Sequence, residues 1–321
     1  MSKYKEIKGF KVQTLASDPS GPAINVGQVY YNSGSNAFKV SVSGTGTWAS
    51  GGAVNTPRYR MQGGAGSQTA GLIAGGTTSP GPGVRDSTEE YNGSAWSTVN
   101  ALPGVLVDFG LAGTQTAGLG VGGNNGPANT NVTLEYDGTN WAAGGVFPAA
   151  GHRISTGGTQ TAGITVGGAV PGYSNNTFHY NGTAWTAGGD YPTVRANGAT
   201  AGTQTAAIAY GGYTPPETAD ANIYDGSSWT EITSMGNARA EFGFSGSGTQ
   251  TATLAYGEQS SALTEFWNGT AWTEVADLAT ARSAGGSFGS SSAAAYASGS
   301  PATTATEEFT RALGTVSFDI D

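Results

Sequence analysis

The sequence predicts an all-β chain built from one four-stranded unit repeated six times, and two recurring phrases carry that prediction. The first reads T-E-E-Y-N-G-S-A-W at 88–96 and returns as L-E-Y-D-G-T-N-W (134–141), F-H-Y-N-G-T-A-W (178–185), I-Y-D-G-S-S-W (223–229) and F-W-N-G-T-A-W (266–272). With Trp48 the Trp series stands at 48, 96, 141, 185, 229 and 272. The second phrase is T-Q-T-A or a close variant, with Gln at 68, 115, 160, 204 and 250. Both series repeat every ~45 residues, all of it strand and turn in character, which is the period of propeller blades. The prediction is a six-bladed β-propeller of four-stranded blades; seven blades stay open if residues 24–50 form more of a blade.

Each unit divides into strands A to D. In the third, His152–Thr156 begins strand A and Gly158-Thr159-Gln160 turns the chain. Strand B is 161–166, strand C is 177–180, and Trp185 lies in strand D. Asn-Gly and Asp-Gly are the preferred pairs of a two-residue type I′ hairpin, so the C–D turn is expected to be of that type. That register sets Tyr91 opposite Ser94 and Glu89 opposite Trp96, with Tyr91 and Trp96 on one face. Strand B is rich in Ala, Gly and Thr, as in Ala70-Gly-Leu-Ile-Ala74, which suits inner strands where blades converge. Trp and Tyr fill the wider outer gaps.

The ends predict the closure. Residues 282–310 supply strands A, B and C of a last unit with no Trp after them, while Gly46-Thr47-Trp48-Ala49 is an orphan strand D. The N-terminal strand is expected to complete the last blade and to bury its edges. Val316-Ser-Phe318 and Phe38-Lys-Val40 are candidate extra strands. The division is residues 1–44 as an attachment or strand-exchange segment and 45–321 as the propeller.

Composition removes several function classes. The net charge is −9 with 13 Lys+Arg in 321 residues, a poor basis for neutralising phosphates, so no nucleic-acid partner is expected. The absence of cysteine excludes disulfides, thiol catalysis and Cys-ligated metals. The start M-S-K-Y-K-E-I-K lacks the apolar core of a signal peptide. No apolar run approaches the roughly 18 residues of a membrane span.

The Gly-Gly after strand B, the aromatic and Trp of the C–D hairpin, and the Arg before strand A (Arg58, Arg153, Arg195, Arg239, Arg282) resemble kelch repeats over roughly residues 45–310. The G-T-Q-T-A phrase is not a usual kelch signature. It resembles the degenerate propellers of tailed-phage structural proteins, marine phages especially. The stretch Gly27-Gln-Val-Tyr-Tyr-Asn-Ser33 through Lys39 is similar to one common in phage tail-fibre and virion appendage proteins. The resemblance implies a virion component made in the host cytoplasm and docked to other virion proteins through its N-terminal segment. Self-association is left open.

Candidate chemistry was weighed on the same residues. A copper site like that of kelch-type oxidases needs a Tyr–Cys crosslink, and only His152 and His179 offer imidazole; no cofactor or metal is expected. Asp137 and Asp225 resemble the Asp-box of sialidases, yet Asn stands there in three repeats, which suits a turn. The five Arg residues either ring one rim as an anion site or bond loop carbonyls and pack beside Trp. The Gln ring either meets a ligand or satisfies turn backbone. Glu89/Glu90 and Glu307/Glu308 are strand neighbours that point opposite ways, which makes poor acid/base pairs. The units differ most in their B–C connections: 77–86, 124–131, 169–176, 213–221 and 258–262. Variable loops on a rigid frame are where binding concentrates, and all should emerge on one face. The candidate binding residues are Tyr173, Asn175, Tyr213, Glu217, Arg85 and Asn125, with the two tyrosines set to stack on a glycan. The expected function is a non-enzymatic virion protein that displays a propeller toward a host-surface polysaccharide or toward other virion proteins. A glycan hydrolase of depolymerase or sialidase type and a kelch-type adaptor are the alternatives.

Overall fold

The computed structural model describes residues 12–18, 28–78, 83–169, 172–241, 247–258 and 260–318. Gly27, the tip 79–82 of the first B–C loop, residues 170 and 171 of the third, residue 259 of the fifth and the approach to strand A of the fifth unit (242–246) lie outside the described residues. The described residues form strands and turns with no helix. They divide into two compact units, one of them Thr47–Thr310.

The smaller unit is a sheet in the order Gln13–Leu15, Val29–Asn32, Ala37–Ser43, Leu313–Phe318. Residues 311–318, grouped with the repeats by sequence, thus belong with the N-terminal segment; Phe38 pairs with Phe318 and Val40 with Val316. The Y-Y-N-S…K stretch is its hairpin. Asn32 Oδ1 accepts the amides of Gly34 (2.9 Å) and Ser35 (3.0 Å), and Lys39 pairs with Asp18 at 2.8 Å.

Among its described residues the larger unit holds six sheets whose first four strands follow A-B-C-D, besides a two-stranded ribbon of Thr77–Thr78 and Gly83–Val84. The first is Ala65–Ser67, Ala70–Ala74, Thr88–Tyr91 and Trp96–Val99. The second is Gly110–Thr114, Ala117–Val121, Thr133–Tyr136 and Trp141–Ala143. The third is Ser155–Thr159, Ala162–Val166, Thr177–Tyr180 and Trp185–Ala187. The fourth is Ala199–Thr203, Ala206–Tyr210, Ala221–Tyr224 and Trp229–Ile232. The fifth is Ser247–Thr249, Ala252–Glu258, Ser261–Trp267 and Trp272–Glu274. The sixth combines Gly286–Gly289, Ala293–Ala297 and Thr306–Thr310 with Thr47–Ser50, Phe309 facing Trp48. The second sheet departs from four strands: Gln62–Gly63 adds a fifth, parallel to Gly110–Leu111. Strand A of the third sheet starts at Ser155, three residues after the expected His152, because the A–B tip is Gln160-Thr161 and Thr159 pairs with Ala162.

The C–D hairpin corrects the expected register. Tyr91 pairs directly with Trp96, leaving a four-residue loop, and of Asn92 and Gly93 only the glycine has positive φ, so the turn is not type I′. The Asn92 side chain decides this: its Oδ1 accepts the amides of Ser94 (3.0 Å) and Ala95 (2.9 Å). Asp137, Asn181, Asp225 and Asn268 do the same in their hairpins. Asn and Asp interchange because the turn needs only an acceptor. Tyr and Trp still share a face, now as direct partners with ring centroids 4.9 Å apart in the first hairpin.

No sheet can bury its aromatic face alone. Six hydrophobic clusters do so, each straddling two sheets: first with second, second with third, and so on to sixth with first. A cavity of about 130 Å³ touches strand A of all six sheets, at Gly66, Gly113, Gly158, Gly202, Gly248 and Gly289. These glycines hold one repeat position, and all have φ between +83° and +151°. A Cβ there would come within 2.0–2.3 Å of a strand B carbonyl, so glycine is required on both counts.

Polar side chains stitch the sheets across the clusters. Gln115 Nε2 donates to Gly71 O (3.0 Å) and Tyr91 O (2.8 Å) of the preceding sheet. Gln160, Gln204 and Gln250 repeat this, and Gln68 reaches back to Ala294 O and Phe309 O of the sixth sheet. The Gln ring therefore satisfies neighbouring strands, not its own turn. Trp96, Trp141, Trp185, Trp229 and Trp48 each donate Nε1 to the Thr three residues before the strand C aromatic of the preceding sheet, at 2.8–3.1 Å. The fourth sheet has Ala221 there, and Trp272 bonds Thr233 O instead (3.1 Å).

The seam between the fifth and sixth sheets carries Ser291 where the others carry Gln. Gln115→Ala deletes two interior hydrogen bonds and is expected to cost about 1–3 kcal/mol. Ser291→Gln restores the missing pair and should raise the thermal midpoint by about 2 °C. Calorimetry on the two variants checks both; a destabilised Ser291→Gln protein would contradict the seam geometry.

Candidate functional site

Twelve positions after each Trp of the series stands Arg60, Asp108, Arg153, Asn197, Glu241 or Ala284. All six have φ between +53° and +61°, a conformation costly for non-glycine residues. A closed circuit of backbone bonds holds them there. Asp108 N donates to Arg60 O (2.9 Å), Arg153 N to Asp108 O (2.8 Å), Asn197 N to Arg153 O (3.2 Å), Glu241 N to Asn197 O (3.3 Å) and Ala284 N to Glu241 O (2.7 Å), and Met61 N closes on Ala284 O (3.1 Å).

The side chains of this ring form one network. Arg60 Nε donates to both oxygens of buried Asp108 (3.1 and 3.0 Å), and Arg60 Nη2 also pairs with it. Arg153 lies 3.7 Å from Asp108 and 4.0 Å from Glu241. Asn197 Nδ2 donates to Glu241 Oε1 (3.4 Å), and Asn197 Oδ1 accepts from Gln62 Nε2 (3.1 Å). Two cations and two anions cancel, so the ring is not an anion trap. Because strands A and B are antiparallel, the ring lies at the end of the sheets from which the B–C loops emerge.

The repeated Arg residues divide into three fates. Arg58, Arg239 and Arg282 are buried, and each pairs with the glutamate two residues before the strand C aromatic that faces Trp in its own sheet, Glu89 (2.8 Å), Glu265 and Glu307. They also donate to backbone carbonyls. Arg195 is buried over the Tyr191 ring, 4.4 Å from its centroid. Arg153 does not belong to this set: Gly151 O takes the backbone place of Arg195 O, and Arg153 belongs to the positive-φ ring.

The other acids are equally committed. Tyr136 donates to Glu90 (2.8 Å), Tyr180 to Glu135 (2.6 Å) and Tyr91 to Glu308 (2.5 Å). Where the Tyr becomes Trp267 or Phe309, the facing residue becomes Ile223 or Phe266, whereas Tyr224 keeps its hydroxyl and faces His179, ring centroids 5.5 Å apart. The Asp225 carboxyl is held down to about 2 by the Ser227 and Ser228 amides it accepts, as a turn acceptor requires. Among the described residues no group of three or more acidic or imidazole side chains is placed to hold a metal ion.

Two loops carry the candidate aromatic site. Tyr173 and Tyr213 meet edge to face, ring centroids 5.7 Å apart at 73°. Both loops are pinned to one two-residue segment: Arg195 N donates to Ser174 O (2.8 Å), and Tyr213 N donates to Ala196 O (2.7 Å). Tyr173 stays 37% exposed, open to a ligand. Exposed Glu217 bridges back to Tyr213, and partial burial, with Glu258 and Glu241 nearby, raises its carboxyl. Asn175 Nδ2 is used on Tyr191 O (3.1 Å). Arg85 and Asn125 belong to the loops of the first two sheets. Arg85 bonds Thr78 (3.1 Å) and Asn125 accepts Ala128 N (3.0 Å), each within its own loop. Sequence reading missed Arg60, Asp108, Asn197, Glu241 and Gln62. For the first four the constant offset from Trp was the available signal, hidden because the position alternates among Arg, Asp, Asn, Glu and Ala.

No protein-family model matches the chain, and no curated protein matches it.

Burial lowers the pKa of both His152 and His179 below the ordinary 6.5. Just below pH 6.5 the unfolded chain binds protons that the folded chain does not, so stability falls as pH drops from 7 through that window. His179→Phe should flatten part of the fall. Thermal midpoints from pH 7.5 to 5.5 test this; superimposable curves for the two proteins would refute it.

Proposed function

We propose that the six sheets are the blades of a six-bladed β-propeller and that the protein is a non-catalytic binding module whose loop face takes a glycan. The cyclic order of the six clusters, the cavity touching every strand A and the closed backbone circuit support the propeller. The Tyr173–Tyr213 pair carries the binding reading. Two aromatic rings held at a fixed angle on a rigid frame, flanked by Glu217, suit a sugar's apolar face and its hydroxyls. The acids nearest the frame are engaged with Arg, Tyr hydroxyls or turn amides, which favours recognition over hydrolysis. The kelch and tailed-phage resemblances support display on a virion, with the smaller unit docking to other virion proteins and the loop face directed at a host-surface polysaccharide.

A glycan array and a host-cell binding assay with the intact protein, with mass spectrometry of any bound saccharide, test this. Tyr173→Ala and Tyr213→Ala should each weaken binding at least tenfold, about 1.4 kcal/mol, without lowering the thermal midpoint. Unchanged affinity in the double variant would remove the aromatic site. Cleaved saccharide would replace binding with hydrolysis.

A further inference from the structure

Arg195 differs from its three counterparts. Arg58, Arg239 and Arg282 each meet a glutamate two residues before the strand C aromatic that faces Trp, whereas the fourth sheet has Asn222 at that position, shorter and uncharged. Arg195 is 1% exposed, and Nε, Nη1 and Nη2 make no hydrogen bond of ordinary geometry within the protein, the Tyr191 hydroxyl acting on the guanidinium only from a strained angle or longer reach. One face of the guanidinium lies on Tyr191. Another lies on the Gly198 backbone, where a Cβ would sit 2.2 Å from Nη2. Asn222 Oδ1 is likewise buried without a partner, while its Nδ2 bonds the Tyr191 hydroxyl at 2.7 Å. Asp220 is an acid near enough to act on Arg195 through space, without forming an ion pair. A guanidinium stays charged in a protein, and a buried charge without a counter-charge is strongly unfavourable.

We propose that Arg195 binds a small monovalent anion, a halide such as chloride, in the place that a glutamate carboxylate occupies in the first, fifth and sixth sheets. Arg195 and Asn222 are both buried, and Asn222 is only one methylene shorter than a glutamate, so the space beside it suits a single-atom ion better than an oxyanion. Turning the Asn222 amide over lets Tyr191 donate to Oδ1 and gives the ion Nδ2 as a further donor. Burial opposes the charge on Arg195, and the ion offsets that. Because Arg195 and Ala196 anchor the loops of Tyr173 and Tyr213, the ion also steadies the aromatic pair. The inference does not depend on what those tyrosines bind.

The test measures thermal midpoints of the full chain in sodium chloride, bromide and gluconate at fixed ionic strength, with bromide anomalous diffraction on crystals. The wild type should gain about 2 °C per tenfold rise in halide above its dissociation constant, and bromide should appear in contact with Arg195. Asn222→Glu supplies the carboxylate found in the other sheets and should abolish the halide response while raising the midpoint in gluconate. If that variant does not fold, Arg195→Met must lose the same response. A wild type indifferent to halide, no bromide at Arg195, or an undiminished response in the variant that folds would overturn the proposal.

Discussion

Everything in the larger unit depends on the seam between consecutive sheets. A single four-stranded sheet exposes Tyr and Trp on a face it cannot cover, so each becomes stable only against the next. The seam is apolar at its centre and polar at defined points: Gln Nε2 on two strand ends, Trp Nε1 on a Thr hydroxyl, Tyr hydroxyl on a Glu. Each polar group thereby enters the interior with a partner, as burial demands. Six seams in cyclic order leave no aromatic face without a neighbour.

The same constraint explains which residues change together. Losing the Thr hydroxyl at Ala221 moves the Trp272 bond to a carbonyl. Losing the Tyr hydroxyl at Trp267 and Phe309 removes the facing carboxylate. Repetition thus marks structure, and departures from it mark places where another demand acts. Three of them meet at the third and fourth sheets. There His179 replaces a Glu, Asn222 leaves Arg195 without a carboxylate, and two B–C loops each bring a Tyr to one spot. A frame built from near-identical units has put its individuality on one side of one face, where a ligand-binding role would use it.

Much of this was legible from the chain. Trp and Gln periods gave the units, and Trp48 without its hairpin pointed to the strand that now pairs with Thr306–Thr310. Tyr173 and Tyr213 were found as variable-loop residues, although their contact was not foreseeable, since it comes from both loops docking on Arg195 and Ala196. The hairpin register was misread because Asn-Gly has two ways to turn a chain, and the Asn side chain, by taking two amides, selected the longer. Arg153 was grouped with the wrong arginines because one inserted offset separates an interior guanidinium from a ring position. The ring itself was hidden since backbone bonds fix it and no single residue type recurs through it. The last strand was placed with the repeats by proximity in sequence, whereas its pairing is with Ala37–Ser43.

The central claim is that the six sheets form one cooperative cycle, closed where Thr47–Ser50 joins the sixth sheet. The most direct measurement replaces those four residues by a Gly-Ser stretch of equal length in the full chain and follows unfolding by both tryptophan fluorescence and far-ultraviolet circular dichroism. If the cycle holds the sheets together, removing one strand lowers the stability of all six, and both signals shift together to a much lower temperature. An unchanged midpoint, or loss of only a small separate transition while the remaining sheets unfold as before, would show that the sheets are stable without closure and would contradict the account.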